Sequence, residues 1–258
     1  MRLLVKLGGT LLDKSTTRVS LAAQLATAAR THEVVVVHGG GKQMTRYLAE
    51  HGIESRFENG LRVTTPPVLD AVLKVFAGTV NKQLVAALIA AGAPAVGLTG
   101  VDAALAEAEP MDAKLGAVGR IVRTNAVVLL TLVESGFLPV VACVAGDRQG
   151  NIYNVNADQM AAGLASSFRA DALYFLTDVD GVMGKERNVL RCLAAAEARE
   201  LIASGIASGG MLAKLTYALE ALAGGVREVR IAQGSTPDVL ARLAGGEDLG
   251  TRLVQGDN

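Results

Sequence analysis

Two lysines that are far apart in the sequence each lie beside a pair of glycines. Lys6 stands inside an apolar segment just before Gly8-Gly9, and Lys214 closely follows Gly209-Gly210. Amides at glycines can approach an anion closely, and an ammonium group adds a positive charge beside them. Taken alone, Lys6 could form a salt bridge, and Lys214 could be a surface lysine in the first turn of a helix, where the dipole disfavours a cation. Together the two pairs predict that both lysines serve one anion.

A third group of glycines follows the most strongly predicted strand. Residues 34–37 are four valines, which predict a strand buried on both faces, and His38-Gly39-Gly40-Gly41 comes directly after them. Residues 42–51 look helical, so these glycine amides would lie at a helix N-terminus, where the dipole favours an anion. A tight turn is the alternative, because short glycine motifs often occur by chance. We interpret His38 as a structural hydrogen-bonding residue.

One carboxylate is suited to orient the two lysines. Asp158 comes just before or within the first turn of a predicted helix, where it could equally be a helix cap. If the lysines converge, a carboxylate between them would hold both without neutralising either. Asn154 and Asn156 precede it and could be turn and cap residues.

Three further charged residues occupy positions where ligand-binding side chains are common. Arg62 lies on an irregular segment, and its planar guanidinium could bind a carboxylate or simply face solvent. Asp178 and Asp180 follow the end of a buried strand, which favours a site for a nucleotide or its metal; an Asx turn is the alternative.

The elements that must position these residues alternate between strands and helices. Such alternation predicts an α/β fold with a parallel sheet and right-handed crossovers, in which ligands gather at the carboxyl ends of the strands. The predicted strands are 3–7, 34–37, 95–99, 138–144, 173–176 and 228–231, and the predicted helices are 18–30, 42–51, 68–91, 159–167, 194–204, 211–223 and 237–244. Residues 101–119 have little periodicity and predict a β-rich flap or lid. A turn near Gly150 divides the chain into 1–150 and 151–258.

Composition excludes several classes of protein. The 258 residues carry 25 Lys plus Arg and 25 Asp plus Glu, so no broad surface for nucleic acid is indicated, and the absence of Trp argues against a stacking surface. No unbroken apolar run reaches the roughly 18 residues of a membrane span, and the start of the chain is unlike a secretory signal. Cys143 and Cys192 match no metal-ligand spacing. We expect a cytoplasmic protein with free thiols that binds neither nucleic acid nor membrane.

Five motifs resemble, in order and spacing, those of the amino-acid kinase superfamily, over nearly the whole chain. They are Lys6-Leu7-Gly8-Gly9, His38-Gly39-Gly40-Gly41, Gly60-Leu61-Arg62-Val63-Thr64, Asn154-Val155-Asn156-Ala157-Asp158 and Gly210-Met211-Leu212-Ala213-Lys214. The third motif is similar to that of the N-acetylglutamate kinases in particular. The resemblance implies a three-layer αβα sandwich with a mainly parallel central sheet. It also implies that half 1–150 binds the acyl amino acid and dimerises, and that half 151–258 binds ATP.

The resemblance further implies an activity and a role for each motif. The activity would be ATP-dependent phosphorylation of the side-chain carboxylate of N-acetyl-L-glutamate, with Mg²⁺ bound through the nucleotide phosphates and no dedicated metal site. Lys6 and Lys214 would stabilise the transferring phosphoryl group, and Asp158 would position them. The acceptor would be held by Gly40, Gly41, Arg62 and Asn154. The nucleotide would contact Gly8, Gly9, Thr177, Asp178, Val179, Asp180, Gly181, Val182, Met183, Ile206, Ala207 and Ser208.

Two departures from the family pattern matter. Val101-Asp102-Ala103-Ala104 replaces a lysine-aspartate turn that the family often shows, so this part of the lid and the selection of the acyl group are open. Arginine-inhibited hexameric relatives carry an additional helix before the first strand, and Lys6 lies too near Met1 for one. We therefore expect an arginine-insensitive homodimer.

Three alternative functions remain. A sister kinase could act on carrier-bound α-aminoadipate or glutamate, although such relatives usually have a Ser-Arg type of segment around Arg62. A non-catalytic nucleotide-binding regulator is opposed by the presence of both lysines and Asp158. A dinucleotide oxidoreductase is opposed by Gly8-Gly9-Thr10, which lacks the spaced glycines of that fingerprint.

Overall fold

The structure, a computed structural model, describes residues 1–58, 60–186 and 188–256, and the following elements are those of this part of the chain. The strands are β1 Arg2–Leu7, β2 Glu33–His38, β3 Phe57–Glu58, β4 Leu61–Arg62, β5 Ala95–Thr99, β6 Ala106–Pro110, β7 Val118–Thr124, β8 Leu138–Ala142, β9 Val144–Gly146, β10 Ile152–Val155, β11 Ala172–Thr177, β12 Cys192–Ala194, β13 Glu228–Gln233 and β14 Thr251–Val254. The α-helices are α1 Gly9–Asp13, α2 Ser15–Ala28, α3 Gly41–Glu50, α4 Pro66–Val72, α5 Asn81–Ala90, α6 Val127–Glu134, α7 Ala157–Phe168, α8 Ala195–Ala203, α9 Gly209–Ala223 and α10 Val239–Ala244.

Eight of these strands form the central sheet of the described chain, in the order β12-β14-β13-β11-β1-β2-β8-β5. Neighbours are parallel from β13 to β5, and the single antiparallel pairing joins β13 to β14. Strands β1 and β2 are buried along consecutive residues, which requires cover on both faces of the sheet. Helix α7 packs on β1, β2 and β11, while α5 packs on β5 and β8 and contacts α2. The predicted α/β fold with a mainly parallel central sheet is confirmed.

Some element boundaries differ from the prediction. The predicted strand 138–144 is wrong at its end, because β8 stops at Ala142 and Cys143 separates it from β9. The Cys143 N–H donates to the His38 carbonyl at 3.2 Å, and the Cys143 carbonyl accepts from the Val155 N–H at 3.3 Å, so the chain leaves the sheet there. The sequence pattern also fails to predict α6, β12 and β14. Helix α6 reads Val-Val-Leu-Leu-Thr-Leu-Val-Glu, whose β-branched residues do not favour a helix.

The long helix predicted at 68–91 exists as one continuous element, Pro66–Ala90, that changes its winding in the middle. Residues Leu73–Val80 form a π-helix between α4 and α5. By length and composition, with 25 residues and a mean hydropathy of 1.4 over an 18-residue window, Pro66–Ala90 is the one helix in the described chain that qualifies as a membrane span. Core helices of water-soluble proteins pass the same test. This helix buries Val72, Leu84 and Leu88 completely within the protein.

The region predicted as a β-rich lid, 101–119, contributes to a small closed barrel. Strands β6 and β7 form it together with β9 and β10, and short 3₁₀ turns lie at Asp102–Ala104 and Ala113–Leu115. Gly150 lies in the turn between β9 and β10, which pair antiparallel. The division predicted near Gly150 therefore runs between two paired strands of one barrel.

Candidate active site

The two lysines meet on a single carboxylate. Lys6 Nζ lies 2.7 Å from Asp158 Oδ1, and Lys214 Nζ lies 3.2 Å from Asp158 Oδ2. The three side chains are 8%, 7% and 13% exposed for Lys6, Asp158 and Lys214, respectively. Each lysine thus takes one oxygen of a buried carboxylate, and the predicted convergence of the lysines occurs.

Three elements bring these groups together. Lys6 lies in β1, where its backbone is in register with Val37 of β2 and Phe175 of β11. Asp158 is in the first turn of α7, and the Asn156 side chain caps this helix by accepting from the Asp158 and Gln159 N–H groups. An N-terminal position is favourable for the Asp158 charge.

The expected position of Lys214 in the first turn of its helix is wrong. Helix α9 begins at Gly209, so Lys214 is its sixth residue and lies beyond the first turn of 3.6 residues. The glycine pair forms the start of the helix instead of preceding it. Lys214 therefore lies outside the first turn of α9, where the helix dipole would disfavour a positive charge.

The charges of this cluster are unequal, because one carboxylate faces two ammonium groups. Burial by itself would raise the pKa of Asp158, but the positive charges of Lys6 and Lys214 outweigh it and leave that pKa below the ordinary 3.8. Burial lowers the pKa of Lys214, and the Lys6 charge acts in the same direction, while Asp158 opposes both. The cluster keeps a net positive charge and is suited to attract an anion.

A cavity of about 800 Å³ opens beside Lys6 and Asp158. Its wall includes all four residues predicted to hold the acceptor, Gly40, Gly41, Arg62 and Asn154, and also Gly9, which is predicted to contact the nucleotide. The N-terminus of α3 begins at Gly41, so this helix directs its positive end at the cavity. Glycine residues, Lys6 and Arg62 thus surround one cavity.

Arg62 is held in place before any ligand binds. Its guanidinium donates to the hydroxyls of Thr45, at 2.8 Å, and of Ser55, and it stacks 4.5 Å from the centre of the Phe57 ring. Burial lowers the pKa of Arg62, and its side chain nonetheless stays charged because the guanidinium pKa is so high. Asn154 donates to the Thr64 hydroxyl at 3.0 Å. Arg62 is therefore preorganised to bind a planar anion such as a carboxylate.

The glycines at the cavity are places where backbone segments meet. A Cβ at Gly9 would lie 2.9 Å from the Gly41 nitrogen, and one at Gly40 would lie 2.9 Å from the Phe76 ring. The Gly8 N–H donates to the Leu176 carbonyl at 2.9 Å, so this amide is engaged in the sheet. The close approach of Gly9 to Gly41 brings the first two glycine loops together at the carboxyl ends of β1 and β2.

The nucleotide-binding residues predicted at 177–183 and 206–208 lie outside this cavity, at the carboxyl end of β11 and before α9. Thr177 ends β11, and its hydroxyl donates to Asp178 at 3.2 Å. The Asp178 charge opposes the lowering of the Lys214 pKa that burial causes. After Asp178, Val179, Asp180 and Met183 are exposed, whereas Gly181 and Val182 are buried. The remaining predicted residues, Ile206, Ala207 and Ser208, come directly before α9.

The described residues contain no group of three or more His, Cys, Asp or Glu side chains that could hold a metal ion. Asp158, the buried carboxylate of the site, has both oxygens occupied by lysines.

A family model for the amino acid kinase family matches residues 1–233. The chain belongs to the amino acid kinase family. Within this family, an acetylglutamate kinase of Solibacter usitatus is 62% identical over 255 residues, which cover 98% of this chain and 99% of that protein. An acetylglutamate kinase of Geobacillus kaustophilus is 43% identical over 239 residues, with 90% of each chain covered. Family membership removes the dinucleotide oxidoreductase alternative.

Solved structures support the same family fold. An N-acetylglutamate synthase from Neisseria gonorrhoeae, in complex with coenzyme A and N-acetyl-glutamate, superposes with a TM-score of 0.88 at 27% identity. The match covers 100% of this chain, which spans only 60% of the synthase chain. A carbamate kinase from Giardia matches with a TM-score of 0.74 at 18% identity and covers 99% of both chains, which shows the fold alone.

Several residues of this amino acid kinase site escaped the sequence analysis. Phe76 lines the cavity from the π-helix, Cys143 lies in its wall, and Thr45 and Ser55 hold Arg62. An apolar residue in a helix and isolated hydroxyl residues give no local signal of a site. The helical pattern indicated a buried face at Phe76, but it could not show the π-helix from which the Phe76 ring reaches the cavity.

Proposed function

We propose that this protein transfers the terminal phosphoryl group of ATP to the side-chain carboxylate of N-acetyl-L-glutamate. The product is N-acetylglutamyl 5-phosphate, and the reaction is the second step of arginine biosynthesis. The observation that carries the proposal is the cluster of Lys6, Asp158 and Lys214 beside a cavity that also contains Arg62. The 62% identity to an acetylglutamate kinase supports the choice of acceptor.

The acceptor needs two anchored ends. Arg62 and Asn154 bind the carboxylate and acyl end that does not react, since both are fixed by neighbouring hydroxyl groups. The amides of Gly40 and Gly41 hold the reacting side-chain carboxylate at the N-terminus of α3. This carboxylate is ionised at pH 7, because its pKa is about 4.3 in free glutamate, so the reaction requires no general base.

The lysines act on the phosphoryl group as it moves. Charge spreads over the phosphoryl oxygens during transfer, and catalysis consists mainly of alignment and electrostatic stabilisation. Lys6 and Lys214 approach from β1 and α9, and Asp158 fixes both ammonium groups by one carboxylate oxygen each. Because the carboxylate neutralises only one of the two charges, the pair remains attractive to the phosphoryl group.

The nucleotide binds on the side of the C-terminal half. Gly8 and Gly9 lie against its phosphates, Thr177 to Met183 and Ile206 to Ser208 hold the rest of it, and Mg²⁺ arrives bound to the phosphates. The Gly8 N–H is already bonded to Leu176, so Gly8 contributes by letting the backbone come close to the phosphates. The Gly9 N–H is at the first position of α1, where amides have no partner within the helix. The occupied oxygens of Asp158 support a metal carried by ATP, whose charge would offset that of the phosphates.

The deciding experiment traps the product with hydroxylamine. Incubation with ATP, Mg²⁺ and N-acetyl-L-glutamate is expected to give a hydroxamate in proportion to ADP. N-acetylglutamine is the matched control, since it has the same shape but no side-chain carboxylate to act as nucleophile. No hydroxamate from N-acetylglutamate, with product from carrier-bound α-aminoadipate or glutamate, would contradict the assignment. Phosphorylation that persists in the Lys6→Ala, Lys214→Ala double variant would contradict the roles of the lysines.

We also propose a cytoplasmic homodimer in which half 1–150 binds the acceptor and dimerises and half 151–258 binds ATP. The exposed Ile89, at the end of the long apolar helix of the N-terminal half, supports an apolar contact there. Light scattering is expected to give twice the mass of the chain, and a monomer or hexamer would contradict the proposal. Arginine in the assay is expected to leave the rate unchanged.

A further inference from the structure

A buried polar pair lies behind the loop Gly39-Gly40-Gly41. His38 is 0% exposed at the end of β2, and its Nδ1 lies 2.8 Å from the Gly39 carbonyl oxygen. Its Nε2 lies 3.1 Å from Nδ2 of Asn81, which is 1% exposed. The same Asn81 Nδ2 donates to the Val140 carbonyl at 3.0 Å. Burial of such polar groups costs free energy unless they are hydrogen-bonded, and these hydrogen bonds offset that cost.

The contacts of Asn81 determine which nitrogen of His38 carries the proton. A carbonyl can only accept, so the Asn81 amide must present its NH₂ group toward Val140, and this group then donates to His38 Nε2. Nε2 is therefore an acceptor, and the proton of the neutral ring is on Nδ1. From there it donates to the Gly39 carbonyl. Burial lowers the pKa of His38 to about 4, so the ring is neutral near pH 7.

The bond to the Gly39 carbonyl also fixes the next amide. The Gly39 C=O and the Gly40 N–H belong to one planar peptide group and point in opposite directions. The carbonyl faces the buried His38 ring, so the Gly40 N–H points away from that ring, and Gly40 itself lines the cavity. A free peptide next to two glycines would otherwise rotate easily.

We propose that His38 and Asn81 are positioning residues that aim the Gly40 N–H at the reacting oxygens in the cavity. The inference rests on the proposed function, because it assigns a task to an amide of that same site. Neither residue touches the substrate; Asn81 holds His38, His38 holds the Gly39 carbonyl, and the peptide group transmits this orientation. The Gly40 N–H then stabilises negative charge where it develops during the transfer.

The π-helix makes this arrangement possible. Asn81 is the first residue of α5, directly after the π-helical residues Leu73–Val80. The same segment presses Phe76 and Val80 against Gly40, where a Cβ would lie 2.9 Å and 3.2 Å from these side chains. One helix therefore holds the loop from two directions, by packing and through the His38 hydrogen bonds. The Asn81 Oδ1 has no hydrogen-bond partner in the described chain, which shows that the NH₂ group is the part of this amide that is used.

The test compares His38→Asn with His38→Leu. The two replacements have the same branched shape, but the Asn Nδ2 occupies the place of the His Nδ1 and can still donate to the Gly39 carbonyl. His38→Leu is expected to lower kcat about 100-fold, the loss expected when a catalytic group is displaced by about 1 Å, while KM for ATP stays unchanged. His38→Asn is expected to keep most of kcat. Equal kcat values for the two variants, measured per folded molecule, would overturn the proposal.

A second measurement stands even if neither variant folds and even if the acceptor is misassigned. Long-range ¹H–¹⁵N spectra of the native protein report which nitrogen of each neutral histidine carries the proton, and the chain has only 3 histidines. The His38 signal is expected to show the proton on Nδ1. A proton on Nε2 would overturn the inference, because the Gly39 carbonyl would then have no donor. Failure of the proposed function would appear separately, as a native enzyme that forms no hydroxamate from N-acetylglutamate.

Discussion

At the scale of single residues, the site depends on one buried carboxylate shared between two ammonium groups. Removal of Asp158 would leave Lys6 and Lys214 buried side by side without an opposite charge. Asp158→Asn is therefore expected to lower the free energy of unfolding by about 3–5 kcal/mol, the usual cost of breaking a buried ion pair. Adding Lys6→Met to it should restore part of this stability, because only one lysine remains, but none of the activity. Urea unfolding and the hydroxamate assay measure the two effects. A double variant less stable than Asp158→Asn would contradict this account.

The same carboxylate predicts how acid affects stability. The pKa of Asp158 is lower in the folded protein than its ordinary 3.8, so the folded state holds this proton less readily than the unfolded chain does. Its contribution to stability is complete above pH about 4 and is lost as pH falls through the folded pKa. The stability difference between the native protein and Asp158→Asn, from urea unfolding at several pH values, should therefore shrink below pH 4. A difference that stays constant down to the acid transition would show that Asp158 is not held as an anion.

At the scale of elements, the loops that contain Gly9 and Gly41 meet so closely that an added methyl group fits at Gly41 but not at Gly9. A Cβ at Gly9 would lie 2.9 Å from the backbone nitrogen of Gly41, which cannot rotate away, whereas a Cβ at Gly41 meets nothing within 4 Å. Gly9→Ala is expected to destabilise the protein by about 1–3 kcal/mol, as overpacking does, and to displace the Gly41 amide. Gly41→Ala is the matched control and should unfold at the temperature of the native protein. Equal melting temperatures for the two variants would contradict the close contact.

The sequence identified the residues of the site more readily than their arrangement. Glycines, lysines and Asp158 give local signals, and alternation of strands and helices was sufficient for the sheet. The register that presents Phe76 and Asn81 depends on a π-helix, and a pattern based on 3.6 residues per turn cannot show it. Lys214 was misplaced within its helix for a related reason, because Gly209-Gly210 reads as a loop although it forms the helix start.

At the scale of the whole molecule, the central sheet joins the two proposed halves. Strand β1 of the first half pairs with β11 of the second over the register Leu3↔Ala172 to Leu7↔Leu176, and Lys6 lies on this strand. The barrel likewise joins β9 to β10 across Gly150. We expect one cooperative transition in calorimetry, because neither half has a complete sheet without the other. ATP or N-acetylglutamate at 100 times its dissociation constant should raise the free energy of unfolding of the whole protein by about 2.7 kcal/mol, and the single transition should move to a higher temperature. Two resolved transitions, each shifted by one ligand, would show independent halves.

The central place of β1 also has a consequence for synthesis on the ribosome. One edge of β1 pairs with β2, which is synthesised soon after it, but the other edge has no partner until Ala172–Thr177 is synthesised. Until those residues emerge, the nascent protein exposes the backbone N–H and C=O groups of a hydrophobic strand, which favours wrong pairing with neighbouring chains. Slow translation before β11 should therefore increase aggregation of this protein, and slow translation after it should not.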